Sequence, residues 1–238
     1  MKLDILAFGA HPDDVEISSS GTLLIHMEKG YKCGIVDLTR GELGTRGTAD
    51  LRAEEAKIAS GILGIHAREN LQMEDGFFQN DRTNQLKVVA VIRKYRPEII
   101  LGNAISDRHP DHSRASALIS NAVFLSGLHR VKTTFENVEQ ERWKVKCFYQ
   151  YMQDRYIKPD FAVDISSVWE KKMKAILAFS TQFYNPSSAE PETEISGLDF
   201  IEFLSGRARE IGRPLGVQYA EGFTAARLPG VKDLFNLI

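Results

Sequence analysis

Two short clusters of histidine and aspartate carry most of the chemistry that this chain offers. The first, His11-Pro12-Asp13-Asp14, comes directly after the apolar run Leu3 to Phe8. The second, His109-Pro110-Asp111-His112, follows the apolar run Ile99 to Leu101. Imidazole and carboxylate groups are common protein ligands of zinc and other divalent transition metals. Together the two clusters predict a metal site.

The number of ligands in a hydrolytic zinc site suggests which of these residues bind the metal and which do not. Such a site commonly takes three protein ligands and leaves one position open for water. His11, Asp14 and His112 would supply two imidazoles and one carboxylate for it. Asp13 is then free to act as the general base toward the attacking water, whose pKa a metal lowers toward about 7.

His109 stands three residues before His112 and is predicted to face the same cavity from the opposite side. A protonated imidazole there would stabilise an oxyanion and then give a proton to a leaving amine. Asp111 or Asp107 is predicted to hold the second nitrogen of His109. The two clusters therefore offer metal ligands, a base and an acid.

The elements that must position these residues alternate between strand-like and helix-like segments. Strands are predicted at Leu3 to Phe8, Cys33 to Leu38, Ile99 to Leu101, Lys146 to Tyr149 and Phe161 to Val163. Helices are predicted at Val15 to Lys29, Ala49 to Leu63, Asn84 to Tyr95, His112 to Phe124, Val168 to Phe179 and Leu198 to Arg209. In the second helix, Leu51, Ile58 and Ile62 are predicted to form one apolar stripe.

This alternation predicts an α/β fold, specifically a Rossmann-like three-layer α/β/α sandwich with a mostly parallel sheet, in one domain over residues 1–238. Ligands of such sheets bind outside the carboxyl ends of the strands, where the two clusters and the Gly-rich loop Thr39 to Thr48 converge. Asp37 lies where a dinucleotide fold holds a ribose hydroxyl. However, the first turn lacks the three glycines and carries two carboxylates that would repel a pyrophosphate. Dinucleotide binding is therefore not expected.

Composition and charge argue against several other partners. A net charge of -2 over 238 residues gives no electrostatic reason to expect nucleic acid or an anionic membrane. Cys33 and Cys147 are too few for a disulfide framework. No apolar run approaches the ~20 residues of a membrane span, and the N-terminus lacks the apolar core of a signal peptide. We expect a soluble, cytoplasmic protein.

The same residues carry a family resemblance. The two clusters, in this order, resemble those of the PIG-L/LmbE family of zinc-dependent N-acetylglucosaminyl deacetylases. Resemblance to the bacillithiol-pathway branch of that family extends over three segments: Thr39-Arg40-Gly41-Glu42-Leu43-Gly44-Thr45-Arg46-Gly47, Leu51-Arg52-Ala53-Glu54-Glu55 and Gly216-Val217-Gln218-Tyr219-Ala220-Glu221-Gly222-Phe223. One departure is Ser20-Gly21-Thr22, where family members often carry Gly-Gly-Thr.

The resemblance implies removal of the acetyl group from N-acetylglucosaminyl malate, which gives glucosaminyl malate and acetate. It also implies a homo-oligomer. The site residues that it implies are the zinc ligands His11, Asp14 and His112, the general base Asp13, the proton-donating or oxyanion-stabilising pair His109 and Asp111, and Arg52 against the sugar. A guanidinium suits that last role, because it binds sugar hydroxyls or malate carboxylates through paired donors.

Other functions stay open at this point. Two histidines and one carboxylate also form the facial triad of non-haem iron enzymes, and this ligand set accepts Fe²⁺ as well as Zn²⁺. A catalytically silent sugar-binding module could use the same pocket, although a binding protein has no need of the spare base Asp13. Within the deacetylases, another GlcNAc conjugate could replace the malate glycoside.

Overall fold

The computed structural model describes residues 1–231 and 233–236 of the chain. The strands are β1 (Ile5–Gly9), β2 (Cys33–Thr39), β3 (Ala67–Met73), β4 (Ile99–Gly102), β5 (Thr134–Phe135), β6 (Val138–Glu139), β7 (Cys147–Tyr151), β8 (Phe161–Asp164) and β9 (Ala220–Ala225). The helices are α1 (Asp14–Glu28), α2 (Ala49–Leu63), α3 (Arg82–Tyr95), α4 (Pro110–Ser126), α5 (Trp169–Leu177) and α6 (Leu198–Gly212). Short 3-10 turns occupy Ser166–Val168, Arg213–Leu215 and Leu234–Asn236.

Local signals set the ends of several helices. Thr48 caps α2, because its hydroxyl accepts a hydrogen bond from the backbone N–H of Leu51 at 3.2 Å. At the other end of α2, Gly64 takes the left-handed conformation that favours glycine. Asp81 caps α3 in the same way as Thr48, with the N–H of Asn84 donating to its carboxylate at 2.9 Å. These caps explain why the helices begin close to where the sequence predicts.

Within the described residues, seven strands form one sheet in the order β3-β2-β1-β4-β7-β9-β8. Strands β3, β2, β1, β4 and β7 pair in parallel, while β9 runs antiparallel to both β7 and β8. The mostly parallel three-layer fold predicted from the sequence is therefore confirmed. Because β1 and β4 are parallel neighbours, the connections after them leave the same edge of the sheet, which is where ligands bind in such folds.

Hydrophobic residues fill both faces of the sheet. From β1, Ile5 and Ala7 join a core formed with α1, α2, α5 and α6, whereas Leu6 and Phe8 join a second core formed with α3 and α4. This alternation follows from the two-residue period of a strand that is buried on both sides. Among the described residues, no helix has the length and apolar character needed to cross a membrane.

Three parts of the sequence-based prediction need correction. Neither β3 nor β9 was predicted from the sequence, and both strands belong to the main sheet. The helix predicted at Val168 to Phe179 is shorter, since α5 begins at Trp169, after a 3-10 turn, and ends at Leu177. The predicted stripe of α2 is also wrong, since Leu51 and Ile58 are more than half exposed. The buried residues of α2 are Arg52 and Glu55 together with Ala56, Ala59 and Leu63.

A buried ion pair links the last strand to the helices beneath it. Lys172 Nζ lies 2.5 Å from Glu221 Oε1, and both side chains are 4% exposed. The Glu221 carboxylate also accepts hydrogen bonds from the backbone N–H groups of Gly21 and Thr22, at 3.0 and 2.7 Å. The pair therefore joins α5 and β9 to α1.

Replacement of Lys172 with Met is expected to lower the free energy of unfolding by about 3–5 kcal/mol, because Glu221 would stay buried without its cation. The double variant K172M/E221Q is expected to recover part of this loss, which urea denaturation would measure. The matched control is K132M in the exposed pair Lys132–Glu139, where a change below about 1 kcal/mol is expected. Equal losses in K172M and K132M would contradict the structural role of the buried pair.

Candidate active site

The two predicted clusters meet at the carboxyl ends of β1 and β4. These strands are direct neighbours, with Ala7 opposite Leu101, so that the loops following them lie side by side. A cavity of about 680 Å³ opens there. Its lining includes His11, Asp13, Asp14, Arg52, Asp75, His109 and His112, as well as residues 43–46 of the Gly-rich loop. The size lies within the usual range of small-molecule sites.

Asp14 is a buried carboxylate at the first turn of α1 that contacts both predicted imidazole ligands. Its Oδ1 lies 3.1 Å from His112 Nε2, and its Oδ2 lies 3.8 Å from His11 Nδ1. The side-chain amides of Asn103 and Gln153 donate to the same carboxylate at 2.9 and 3.1 Å. Burial raises the pKa of Asp14, but the neighbouring imidazoles outweigh burial and hold the pKa well below its usual range.

His112 is oriented by a second carboxylate on its far side. Its Nδ1 lies 2.5 Å from Asp107 Oδ2, so Nδ1 carries a proton and Nε2 is the nitrogen that faces Asp14. Burial lowers the pKa of His112, but Asp14 and Asp107 outweigh burial and raise the pKa to about 9. The predicted ligand atom of His112, in the first turn of α4, is therefore held in place by a residue of the loop that precedes this helix.

His11 stands among carboxylates on the other side of Asp14. Its Nε2 lies 3.0 Å from Asp75 Oδ1 and 3.5 Å from Asp111 Oδ2. Burial lowers the pKa of this imidazole, but the hydrogen bonds to Asp111 and Asp75 and the charge of Asp14 raise it to about 10. The ring centroid of His11 is 5.6 Å from that of His112. The three residues predicted as metal ligands thus lie in one buried group.

Asp13 has a strained backbone, and its side chain takes no part in capping α1. Its φ is 123°, a conformation that residues other than glycine rarely adopt, and its side chain makes no cap hydrogen bond. Instead, Oδ2 of Asp13 accepts a hydrogen bond from Nη2 of Arg52 at 2.5 Å. Burial raises the pKa of Asp13, although Arg52 opposes the shift. A raised pKa suits a carboxylate that must accept a proton near neutral pH.

His109 lines the same cavity, but its hydrogen bonds differ from the prediction. Its ring lies 4.7 Å from that of His11, centroid to centroid, and its Nδ1 accepts a hydrogen bond from the backbone N–H of Asp111 at 3.2 Å. The neutral ring must therefore carry its proton on Nε2. The carboxylate of Asp111 contacts Arg114, Gly76 and His11, and Asp107 contacts His112. Neither carboxylate holds the second nitrogen of His109 as predicted.

The donor groups of this cavity fit a divalent cation. In the described residues, two sets of side chains could each share one cation, because the ligand atoms within each set lie within 4.8 Å of one another. One set is the three imidazoles of His11, His109 and His112, and the other is His11 with Asp75 and Asp111. The carboxylates of Asp14, Asp75 and Asp111 lie within 3.8 Å of the His11 imidazole, so the group favours a positive charge. The predicted set of His11, Asp14 and His112 shares two of its members with the first group.

Several residues of the site were not found from the sequence. Asp75 was missed because it follows β3, a polar edge strand that the sequence analysis did not predict. Asn103 and Gln153 were missed because single amides after β4 and β7 carry no spacing signal. Their common feature is position, since all three follow a parallel strand at the carboxyl edge of the sheet.

The carboxylate of Asp37, which lies where a dinucleotide fold holds a ribose hydroxyl, is hydrogen-bonded to an arginine. Arg68 donates to it through Nε and Nη2 at 2.8 and 2.9 Å. The same guanidinium donates to Glu16 at 2.5 Å. Neither carboxylate lines the cavity that holds the two clusters.

In D107A the affinity for a divalent cation, probed with added zinc, is expected to fall by about 10–100-fold, because His112 would lose the carboxylate that fixes its ring and its protonation. Competition with a chromophoric chelator would measure the affinity. D154N is the matched control, since Asp154 lies on the same cavity but pairs with the half-exposed Arg108. Unchanged zinc affinity in D107A would show that Asp107 does not support a metal ligand.

Comparison with known proteins adds a family assignment and a related structure. The family model described as GlcNAc-PI de-N-acetylase, PIG-L, matches residues 6–123, which contain both clusters. The solved structure of the conserved protein TT1542 from Thermus thermophilus is 34% identical and covers 98% of each chain, with a TM-score of 0.85.

Curated relatives differ in the reaction that their names state. Diacetylchitobiose deacetylase of Thermococcus kodakarensis is 29% identical over 237 residues, which are 95% of this chain and 84% of that protein. A 4-oxalmesaconate hydratase of Pseudomonas putida is 28% identical over 191 residues, covering 74% and 73%. A probable N-acetyl-alpha-D-glucosaminyl L-malate deacetylase of Bacillus anthracis is 23% identical over 195 residues, covering 75% and 81%.

Proposed function

Because this chain belongs to the PIG-L family, we propose that it is a metal-dependent hydrolase that removes the N-acetyl group from a GlcNAc-containing glycoside. The substrate we propose is N-acetylglucosaminyl malate, with glucosaminyl malate and acetate as products. The observation that carries the proposal is the convergence of Asp13, His109 and the buried group around Asp14 on one cavity. A ligand set, a base and an acid in one place are what amide hydrolysis requires.

We assign His11, Asp14 and His112 as the residues that hold the metal, which we take to be zinc with ferrous iron as an alternative. When bound, a divalent cation polarises the acetyl carbonyl and lowers the pKa of water. The chain's own contribution is to fix two of these three proposed ligands. Asp107 fixes the ring of His112, and the amides of Asn103 and Gln153 fix the carboxylate of Asp14.

Asp13 is proposed to take the proton of the attacking water. Its carboxylate lines the cavity, is not used in helix capping and has a raised pKa. Arg52 holds one carboxylate oxygen, so the other is available for the water. Arg52 also lines the cavity, where we propose that its remaining donors meet the sugar.

His109 is proposed to stabilise the developing oxyanion and to give a proton to the leaving amine. The hydrogen bond that Nδ1 accepts from the backbone leaves Nε2–H as its donor. Burial lowers the pKa of His109, and the charges of His11 and His112 lower it further. A protonated imidazole with a lowered pKa is a stronger acid, which favours proton transfer to the amine. The neutral ring, whose Nδ1 accepts from the backbone N–H of Asp111, binds the oxyanion through Nε2–H; only the ring that has gained a second proton at Nδ1, and so has given up that backbone hydrogen bond, passes a proton to the amine.

Two features support the malate glycoside over other GlcNAc conjugates. The Gly-rich loop and the C-terminal segment resemble the bacillithiol-pathway branch, and the Bacillus anthracis relative has the matching name. The Thermococcus kodakarensis relative favours diacetylchitobiose instead, and its identity to this chain is higher. A second candidate reaction is hydration of a double bond, because the Pseudomonas putida relative is named as a hydratase.

One assay separates these functions. The purified protein, stripped of metal and reloaded with zinc, would be offered N-acetylglucosaminyl malate, diacetylchitobiose, N-acetylglucosamine or 4-oxalmesaconate. We expect free amine from the malate glycoside, with a kcat/KM above that for the other two sugars. Preference for diacetylchitobiose would retain the deacetylase and replace the substrate. Consumption of 4-oxalmesaconate without any amine release would overturn the deacetylase in favour of the hydratase.

A further inference from the structure

Arg46 is a buried arginine on the cavity wall whose donors are mostly unused. Its side chain is 4% exposed, and the residue lines the same cavity as the two clusters. A guanidinium has five N–H donors. Within the part of the chain that the structure describes, Arg46 makes one side-chain hydrogen bond, from Nη2 to the Ser188 hydroxyl at 2.7 Å. Its Nε is buried and has no hydrogen-bond partner there.

The other arginines of the cavity are hydrogen-bonded to carboxylates. Arg52 donates to Asp13, and Arg108 pairs with Asp154 and Glu194. The carboxylate nearest to Arg46 belongs to Glu190, at 3.6 Å from Nε. Glu190 instead accepts hydrogen bonds from the backbone N–H of Gly47, at 3.0 and 3.1 Å. Unlike Arg52 and Arg108, Arg46 therefore has a guanidinium that is not hydrogen-bonded to any carboxylate of the described residues.

Contacts with Gln182 and Thr181 fix the backbone around Arg46, although its guanidinium has few hydrogen-bond partners. The side-chain amide of Gln182 donates to the Arg46 carbonyl oxygen at 2.9 Å. Gly47 has a φ of +68°, and a Cβ at this position would lie 2.9 Å from the side chain of Thr181. A buried charged group without hydrogen-bond partners is costly. A loop that holds such a group at a cavity wall indicates that a ligand supplies the missing acceptors.

We propose that Arg46 binds a carboxylate of the substrate's aglycone and so selects acidic GlcNAc glycosides over neutral ones. This inference rests on the proposed deacetylase function and names the aglycone chemistry of that site. The planar fork of a guanidinium matches a carboxylate through two parallel hydrogen bonds, which a sugar hydroxyl cannot reproduce. Arg46 is thus a specificity residue, and its side-chain partners in the structure, Ser188 and Glu190, are neither assigned metal ligands nor the base.

The test compares kcat/KM for N-acetylglucosaminyl malate with kcat/KM for diacetylchitobiose in the zinc-loaded enzyme. In R46M the ratio of the two values is expected to fall by about 10–100-fold, because an ionic hydrogen-bonded pair is lost for one substrate alone. R46K keeps the charge without the fork and should give a smaller fall. R40Q is the matched control, since Arg40 lies on the same loop but pairs with the exposed Asp50.

Binding of the product glucosaminyl malate to metal-free protein, measured by calorimetry, gives a second readout that needs no turnover. R46M is expected to weaken this binding by a similar factor and R40Q to leave it unchanged. An unchanged ratio of the two kcat/KM values in folded R46M would overturn the role of Arg46 without contradicting the deacetylase function. If R46M does not fold, an unchanged ratio in R46K would have the same meaning. If the wild-type enzyme acts on diacetylchitobiose and not on the malate glycoside, the proposed selection for an acidic aglycone would be overturned. Activity on neither glycoside would overturn the proposed function itself.

Discussion

Replacement of Asp13 with Asn is expected to lower deacetylase turnover by about 10³-fold, while metal content stays near that of the wild type. The amide has the shape of the carboxylate and can still accept the hydrogen bond from Arg52, but it cannot take a proton from water. The substitution therefore removes the base and leaves the neighbouring ligands in place. Turnover of the zinc-loaded variant and its zinc content by mass spectrometry would be measured on the same sample.

D50N is the control for this substitution, because Asp50 is an exposed carboxylate on α2 whose pair with Arg40 lies outside the active-site cavity. Turnover of D50N is expected to equal that of the wild type. Loss of zinc from D13N would make Asp13 a metal ligand and contradict its assignment as the base. Full turnover in D13N would contradict any catalytic role for this carboxylate.

Replacement of His112 or of His109 with Asn is expected to separate metal binding from proton donation. H112N should lose bound zinc and all turnover that depends on it, because Nε2 of His112 is an assigned ligand atom. H109N should keep zinc but lose turnover by about 10²–10⁴-fold, since an amide cannot act as the acid. Asparagine at position 109 also keeps an acceptor for the backbone N–H of Asp111, which limits damage to the start of α4.

Zinc content of the two variants decides between two ligand sets. The three imidazoles of His11, His109 and His112 lie close enough to share a cation, so a tri-histidine site would lose zinc in H109N as well. Equal loss of zinc in H109N and H112N would therefore contradict the assignment of Asp14 as the third ligand. Zinc retained in H112N would remove His112 from the site altogether.

Much of the fold follows from the sequence because the central strands are buried on both faces. Strand β1 is a continuous apolar run, and β2 is an apolar run that only Asp37 interrupts before its last residues, so the prediction placed both within a few residues. Edge strand β3 has a sequence, Ala67–Met73, in which polar residues outnumber the large apolar ones, so its pattern resembles a loop. Strand β9 carries the buried Glu221, whose burial depends on Lys172 from a distant helix.

The approach of the two clusters could be predicted because both follow strands that must share one sheet. Their hydrogen bonds could not be predicted, since these depend on ring orientation and on loop shape. Asp107 and Asp111 are both near His109 in sequence, yet Asp107 contacts His112 and the Asp111 carboxylate contacts His11. Spacing along the chain predicted which histidines and aspartates of the two clusters come together, but not how they pair.

Helix α2 shows why an apolar pattern failed near the site. The exposed positions include Leu51 and Ile58, while Arg52 and Glu55 are buried. Arg52 is buried because it reaches Asp13, and Glu55 is buried because it accepts hydrogen bonds from the backbone and hydroxyl of Thr181. A helix that positions a polar site presents polar residues inward, which is the reverse of the pattern used to find its buried face.

Hydrolysis of N-acetylglucosaminyl malate in water enriched in ¹⁸O tests the central claim most directly. Metal-dependent amide hydrolysis predicts that zinc-reloaded protein releases free amine and acetate in equal amounts, with one ¹⁸O atom in each acetate, and that the metal-stripped protein releases neither. Acetate formed equally well by metal-stripped protein, or no acetate from any GlcNAc glycoside with zinc or ferrous iron, would contradict it.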